Sequence, residues 1–271
     1  MWNHLLDVYG ESRLNPGKPE CLFAETLIFN EGWLLRSVLK AWKTNSTSGR
    51  LPFLPFPTEA KIYSEGQLRT PFKARFRGDP QAETHTRVDG IAGYFSIAAG
   101  TKTGIELAPG CRYVAVFEAK LYSPIGKGVK HAPEYDQVSR TAACLIYALL
   151  QDEPQEGNEA HIVVLYPKDN LDIRPREFDK VHIRDRIRER LAGYISAGGS
   201  IPEIDRFEAD WEETFGRMVV HFETWEKVLD GTEDSELDRF YELCRQFNGP
   251  PPQEALRPQE GTHRDGGTVA Q

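Results

Sequence analysis

The sequence predicts an α/β fold: a helix, a short mixed sheet, a crossover helix and further helices behind. Three observations carry this expectation. Residues Cys21 to Trp42 place Leu27, Ile28, Leu34, Leu35, Val38 and Trp42 at helical spacing. Three β-like runs follow: Ala60 to Tyr63 continuing toward Leu68, Thr86 to Phe95, and Arg112 to Leu121. A second helical pattern then precedes the compact apolar strand His161 to Tyr166, an order that implies a crossover.

Each element has its own signal. The proline-rich stretch Gly49 to Pro57 ends the first helix pattern. Ala98 to Gly110, rich in Gly, Ala and Thr, predicts a hairpin-like excursion between the second and third strands. Pro133 to Leu150 reads as a helix with proline in its first turn and Tyr135, Val138, Ala142, Leu145, Ile146 and Leu149 along one face. Pro167 closes the fourth strand, and Arg176 to Ile195, Phe207 to Leu229 and Ser235 to Phe247 read as helices. After Gly249 the tail is polar and expected to be disordered. The organisation predicted is a core over 1–170, a helical extension packed on it over 171–248, and a tail over 249–271.

The 271 residues suit one sizeable domain with elaborations. No window approaches the roughly 20 apolar residues of a bilayer span, so no membrane association is expected. The N-terminus Met1-Trp-Asn-His-Leu-Leu-Asp-Val lacks a basic region and a cleavage site, which predicts a cytoplasmic protein. Cys21, Cys111, Cys144 and Cys244 are scattered without zinc spacing and are expected to be free thiols. The net charge of −8 opposes a simple grip on nucleic acid. The charge is uneven, however. Arg69, Lys73, Arg75 and Arg77 cluster early, Lys120, Lys127, Lys130 and His131 follow, and the acids gather between Glu203 and Asp238.

The chemistry concentrates in Tyr113-Val-Ala-Val-Phe-Glu118-Ala-Lys120, an apolar strand ending in an acid and an amine that share a face. Burying both is costly unless they pair with each other or hold a metal. Thr86-Arg-Val-Asp89-Gly90 supplies a second acid at the end of another β-like run. Hard carboxylate oxygens suit magnesium, with manganese as a substitute, so Asp89 and Glu118 are the expected metal ligands. The carbonyl of Ala119 is a candidate third ligand. Lys120 would stand beside the attacking water. The plain alternative is a Glu–Lys pair across a solvated strand end.

Glu31 falls within the apolar stripe of the first helix and is expected to contribute to the same site, or else to pair with Arg140 or a lysine. Gln137, near the start of the second helix, could hold the lysine or the water, and Arg140 could contact a phosphate. The histidines His85, His131, His161, His182 and His221 show no ligand spacing, and no phosphate loop or nucleophile elbow occurs. The alternating charges of Lys180 to Arg190 read as a solvated, salt-bridged face, or else as a track for a nucleic-acid backbone.

Glu31, then Asp89, then Glu118-Ala-Lys120, then a helix bearing Gln137 resembles the PD-(D/E)XK nuclease superfamily over roughly residues 20 to 167. The residue before Asp89 is Val88 where the motif's name has proline. The resemblance implies a restriction-endonuclease-like αβββαβ core with a mixed central sheet and additional C-terminal helices. It also implies a divalent metal on Asp89 and Glu118, with Lys120 near the attacking water. The function expected is metal-dependent hydrolysis of phosphodiester bonds, most often in DNA. The rival expectation is an inactive, nuclease-like scaffold serving as a binding module. Trp211, Phe215, Phe222 and Trp225, read at helical spacing, would then offer a homodimer or partner interface, unless they are core. A two-carboxylate glycosidase would leave Lys120 without a role.

Overall fold

The computed structural model of this chain describes residues 25–44, 50–51, 53–55, 57, 59–126, 132–151, 157–199, 201–232 and 234–249. A 3-10 turn (Glu25–Leu27) leads into α1 (Glu31–Thr44), followed by the small hairpin β1 (Arg50–Leu51) and β2 (Leu54–Pro55). Next come β3 (Lys61–Arg69), β4 (His85–Gly93), a hairpin of β5 (Phe95–Ile97) and β6 (Ile105–Leu107), and β7 (Tyr113–Ala119). The crossover helix α2 (Gln137–Leu149) returns the chain to β8 (Glu159–Tyr166). A second 3-10 turn (Pro175–Phe178) precedes α3 (Lys180–Ser196) and α4 (Pro202–Arg217). The described chain closes with β9 (Val219–Thr224), α5 (Trp225–Asp230) and α6 (Ser235–Asn248).

The main sheet has the order β3-β4-β7-β8-β9, antiparallel from β3 to β7 and parallel from β7 to β9. Two apolar layers cover it. Val114, Val116, Ile162 and Val164 pack under α2, α3 and α4, while Ala115, Phe117, Val163 and Leu165 pack under α1, α5 and α6. Every residue of β7 is buried, as a central strand covered on both faces requires. This is the mixed α/β architecture expected, with the excursion between β4 and β7 formed as the β5–β6 hairpin.

Three boundaries differ from the sequence reading, each for a local reason. The first helix does not run unbroken from Cys21: it starts at Glu31, residues 21–24 lie outside the described chain, and Leu27 is 64% exposed. Asn30 makes the break, since its side-chain oxygen accepts from Trp33 N–H at 3.0 Å while its amide donates to the Thr26 and Leu27 carbonyls. The crossover helix starts at Gln137, because Asp136 caps it through Ser139 N–H at 3.0 Å. The single helix expected over Phe207 to Leu229 is instead α4, a strand and α5.

That strand, β9, is the fifth of the sheet, so the expected helical extension also completes the core. Trp211, Phe215 and Trp225 are buried within the two layers, and Phe222 packs against the first. The aromatic series is core, and no exposed stripe of it remains to form an interface. Along α3 the charges do pair on the surface, as Arg188 with Asp185 and Glu212, except Arg190, which is buried against Glu83 at 2.9 Å. Cys111, Cys144 and Cys244 are buried and free; Cys21 and the tail beyond Gly249 lie outside the described residues. Among the described residues no helix is long and apolar enough to cross a membrane.

One irregularity shapes the sheet. Val88 and Ile91 lie in the same layer, as do Tyr63 and Leu68, though strict alternation would send each pair to opposite faces. The register is intact on both sides of the interruption, Ser64 facing Gly90 and Gly66 facing Val88. Between those pairs stand Glu65, with a left-handed φ of 59°, and Asp89. Both strands therefore change face at the same step.

Helix α1 is seated directly above this step. A Cβ on Gly90 would lie 2.9 Å from Leu35 Cδ2 and 3.1 Å from Leu39 Cδ1, both fully buried side chains. Gly90→Ala should therefore push α1 outward and destabilise the fold by about 1–3 kcal/mol, measured by urea unfolding. Unchanged stability would mean that α1 is not packed this tightly on β4.

Candidate active site

Strands β4 and β7 pair from Gly93↔Val114 to Gly90↔Phe117 and then part. The next residues on either strand are Asp89 and Glu118. Beyond the last pair the Ala119 N–H turns to the Asp89 side chain and donates to Oδ2 at 2.7 Å. The N–H and C=O of one strand residue point the same way, so the Ala119 carbonyl also faces β4. Lys120 continues the parallel ladder, its N–H donating to Leu165 O at 2.8 Å. The Trp225 indole fixes the Lys120 carbonyl at 2.8 Å, and Asn170 holds the Leu121 carbonyl at 2.7 Å. The chain after β8 thus steadies the strand end that carries the lysine.

Glu118 is 1% exposed and lies under α2. Its Oε1 accepts from Thr141 Oγ1 at 2.7 Å, and its Oε2 accepts from Gln137 Nε2 at 2.6 Å. Gln137 and Thr141 are one helical turn apart and meet the carboxylate as a pair. Burial pushes the Glu118 carboxyl up to about 8; Asp89 adds to the rise, and Lys120, Thr141 and Arg140 oppose it. The Asp89 carboxyl is also raised, chiefly by burial, with Glu31 and Glu65 pushing the same way against Lys120 and the Ala119 N–H.

The structure thus brings Asp89, Glu118, Ala119, Lys120 and Gln137 together, with Glu31 close enough for its charge to act on Asp89. Glu31 is half-buried in the first turn of α1, rather than midway along a longer helix. Gln137 holds Glu118, where the sequence suggested the lysine or the water. Arg140 reaches Glu118 through its charge.

Two further residues escaped the sequence reading. Thr141 had a signal, its i+4 spacing from Gln137. Glu65 had none: only the pairing of β3 with β4 places it across from Asp89, where Arg36 binds it at 3.3 Å. The histidines also gain partners in space. His161 Nδ1 lies 3.1 Å from His221 Nε2 across β8 and β9, and His182 Nε2 lies 3.1 Å from Asp136 Oδ2. Burial depresses His161 to about 4 and lowers His221, so both rings are neutral near pH 7.

Among the described residues no three or more His, Cys, Asp or Glu side chains are gathered to cage a metal. The donor set nevertheless suits magnesium, which takes one or two carboxylates and keeps its waters. Buried Glu118 and half-buried Asp89, both with raised affinity for protons, are groups whose charge a cation would offset. A cavity of about 450 Å³ lined by Arg69, Glu106, Cys111 and Tyr147 lies toward the other end of β7 and excludes these residues. Comparisons with protein-family models, curated proteins and solved structures each gave no match.

The raised Glu118 carboxyl has a thermodynamic signature. Its folded-state value of about 8 exceeds the ordinary 4.5, so the folded protein holds the extra proton between these limits. The resulting stability is complete below the lower limit and is lost as pH rises through the upper one. The melting temperature of metal-free protein should fall from pH 6.5 to 8.5. Added manganese should raise it more at pH 8.5, because the cation takes the ionised carboxylate. Glu118→Gln should flatten the pH slope and abolish the manganese effect, and an unchanged slope would exclude Glu118 as its source.

Proposed function

We propose that this chain is a divalent-metal-dependent nuclease of the PD-(D/E)XK, restriction-endonuclease-like type, with DNA as the favoured substrate. The observation that carries the reading is the meeting of Asp89 and Glu118 where β4 and β7 part, with Lys120 beside them on the same strand end. The order α1, β3, β4, β7, α2, β8 corresponds to the αβββαβ core of that superfamily and supports the same reading.

Asp89, Glu118 and the Ala119 carbonyl would hold magnesium or manganese. When bound, the ion would neutralise phosphate charge and lower the pKa of its water. Gln137 and Thr141 fix the Glu118 carboxylate in one orientation, so that ligand needs no reorganisation during the reaction. The Ala119 N–H does the same for Asp89. Lys120 offsets the two negative charges and offers a cation to charge developing on the phosphate. Of the two motives for the inactive-scaffold reading, the acidic balance and the aromatic series, the second is lost, since Trp211, Phe215 and Trp225 are core.

Purified protein with magnesium is expected to cut DNA. Asp89→Ala and Lys120→Ala should each lower the rate by about 100-fold or more while the circular dichroism spectrum stays native. Cutting that survives both substitutions would show that the activity resides elsewhere.

A further inference from the structure

We infer that the outward face of α1 is a track for single-stranded nucleic acid, on which an unpaired base stacks at Trp33 as the strand leads to the carboxylates. This rests on the nuclease reading and adds to it the form of the substrate. The chain carries a net charge of −8, yet α1 contains Arg36, Lys40 and Lys43 and a single acid, Glu31, at the end nearest Asp89. Lys40 and Lys43 are exposed, whereas Leu34, Leu35, Val38, Leu39 and Trp42 are buried. Lys40 is therefore turned from the core, while Arg36 binds Glu65 and Lys43 Nζ donates to the Ala60 carbonyl at 3.1 Å, both at the edge of the same face. Such a face matches a phosphate backbone in charge, within a protein whose net charge opposes one.

Trp33 is the second observation. It remains 37% exposed in the first turn of α1, although a tryptophan is among the costliest side chains to leave in water. The Arg36 guanidinium lies 5.1 Å from its ring centroid, and Arg36 in turn binds Glu65 at 3.3 Å. Glu65 stands across β3 and β4 from Asp89. Trp33 thus stands, through Arg36 and Glu65, beside the step of the sheet that carries Asp89. Seven residues separate Trp33 from Lys40, about 10 Å along the helix axis. An exposed aromatic beside a guanidinium, with lysines further along, is the pairing of stacking and charge that single strands use. In a duplex the bases are already stacked on one another, and Trp33 would gain little.

The test measures binding of fluorescein-labelled oligo(dT) and of a duplex of equal length by anisotropy, on the full chain with calcium replacing magnesium. Trp33→Ala should weaken oligo(dT) binding by about 10-fold or more and leave the duplex unaffected, while Trp33→Phe retains most of the affinity. Lys40→Glu should weaken oligo(dT) and flatten its salt dependence by about one phosphate contact. Lys40, fully on the surface, should leave the melting temperature at the wild-type value when changed, and Trp33→Phe, which keeps most of the packing under Arg36, controls for any loss of stability in Trp33→Ala. Binding unaltered in both variants, or duplex weakened as much as single strand, would overturn the track while leaving the nuclease reading intact. Failure of the wild type to bind either DNA would overturn both.

Discussion

The candidate site depends on one costly arrangement, the burial of the Glu118 carboxylate beside Asp89. Removing an ionised carboxylate from water costs several kcal/mol even after the protein relaxes. The bonds from Gln137 and Thr141 return about 1.5–3 kcal/mol each, and the charge of Lys120 returns part of the rest. Asp89 takes some of that gain away, because its own charge opposes that of Glu118. Without a cation the deficit is met by a proton. With one, the same two carboxylates become ligands already oriented by hydrogen bonds. Helix α2, seated on the sheet by Val138, Ala142, Leu145 and Ile146, presents in its first turns the two side chains that bind Glu118.

Delivering Asp89 demands a second concession. A regular β4 would keep strict alternation through this residue, yet Val88 and Ile91 share a layer. The change of face is shared with β3, where Glu65 adopts a left-handed backbone at φ 59°. A non-glycine residue in that region costs of order 1–3 kcal/mol and persists only where its surroundings fix it. Here the flanking pairs Ser64↔Gly90 and Gly66↔Val88 hold the register, and Arg36 binds the displaced Glu65 side chain. Gly90 admits α1 against the sheet at the same point, which brings the first turn of that helix, and Glu31 with it, toward Asp89.

What the sequence revealed and what it hid divide along physical lines. The strand ending in Glu118-Ala-Lys120 was legible because an unbroken apolar run of this length, bounded by polar residues, reads as a strand buried on both faces. The crossover to β8 was legible from the periodicity of α2. Helix ends were not, because Asn30 and Asp136 cap through side-chain bonds that apolar spacing does not register. β9 was hidden because Trp211, Phe215, Phe222 and Trp225 keep a helical interval across two helices and a strand. Glu65 and the His161–His221 pair depend on strand pairing, which composition and spacing within one segment cannot express.

The net charge is the observation that fits the proposed polyanion partner least, and the fold limits the weight it carries. Fields between exposed charges fade over about 8–10 Å at ordinary salt, so a ligand responds to the surface it touches. The acids of α4, including Glu203, Asp205, Glu208, Asp210, Glu212 and Glu213, belong to the layer opposite α1. A sheet and a layer of side chains lie between, thicker than that distance. Helix α6, which does pack beside α1, carries both signs, Glu236, Asp238 and Glu242 against Arg239 and Arg245. On the proposed track a strand approaching along α1 would meet Lys40 and Arg36 before Glu31, and the acidity of the far face would weigh little on its path.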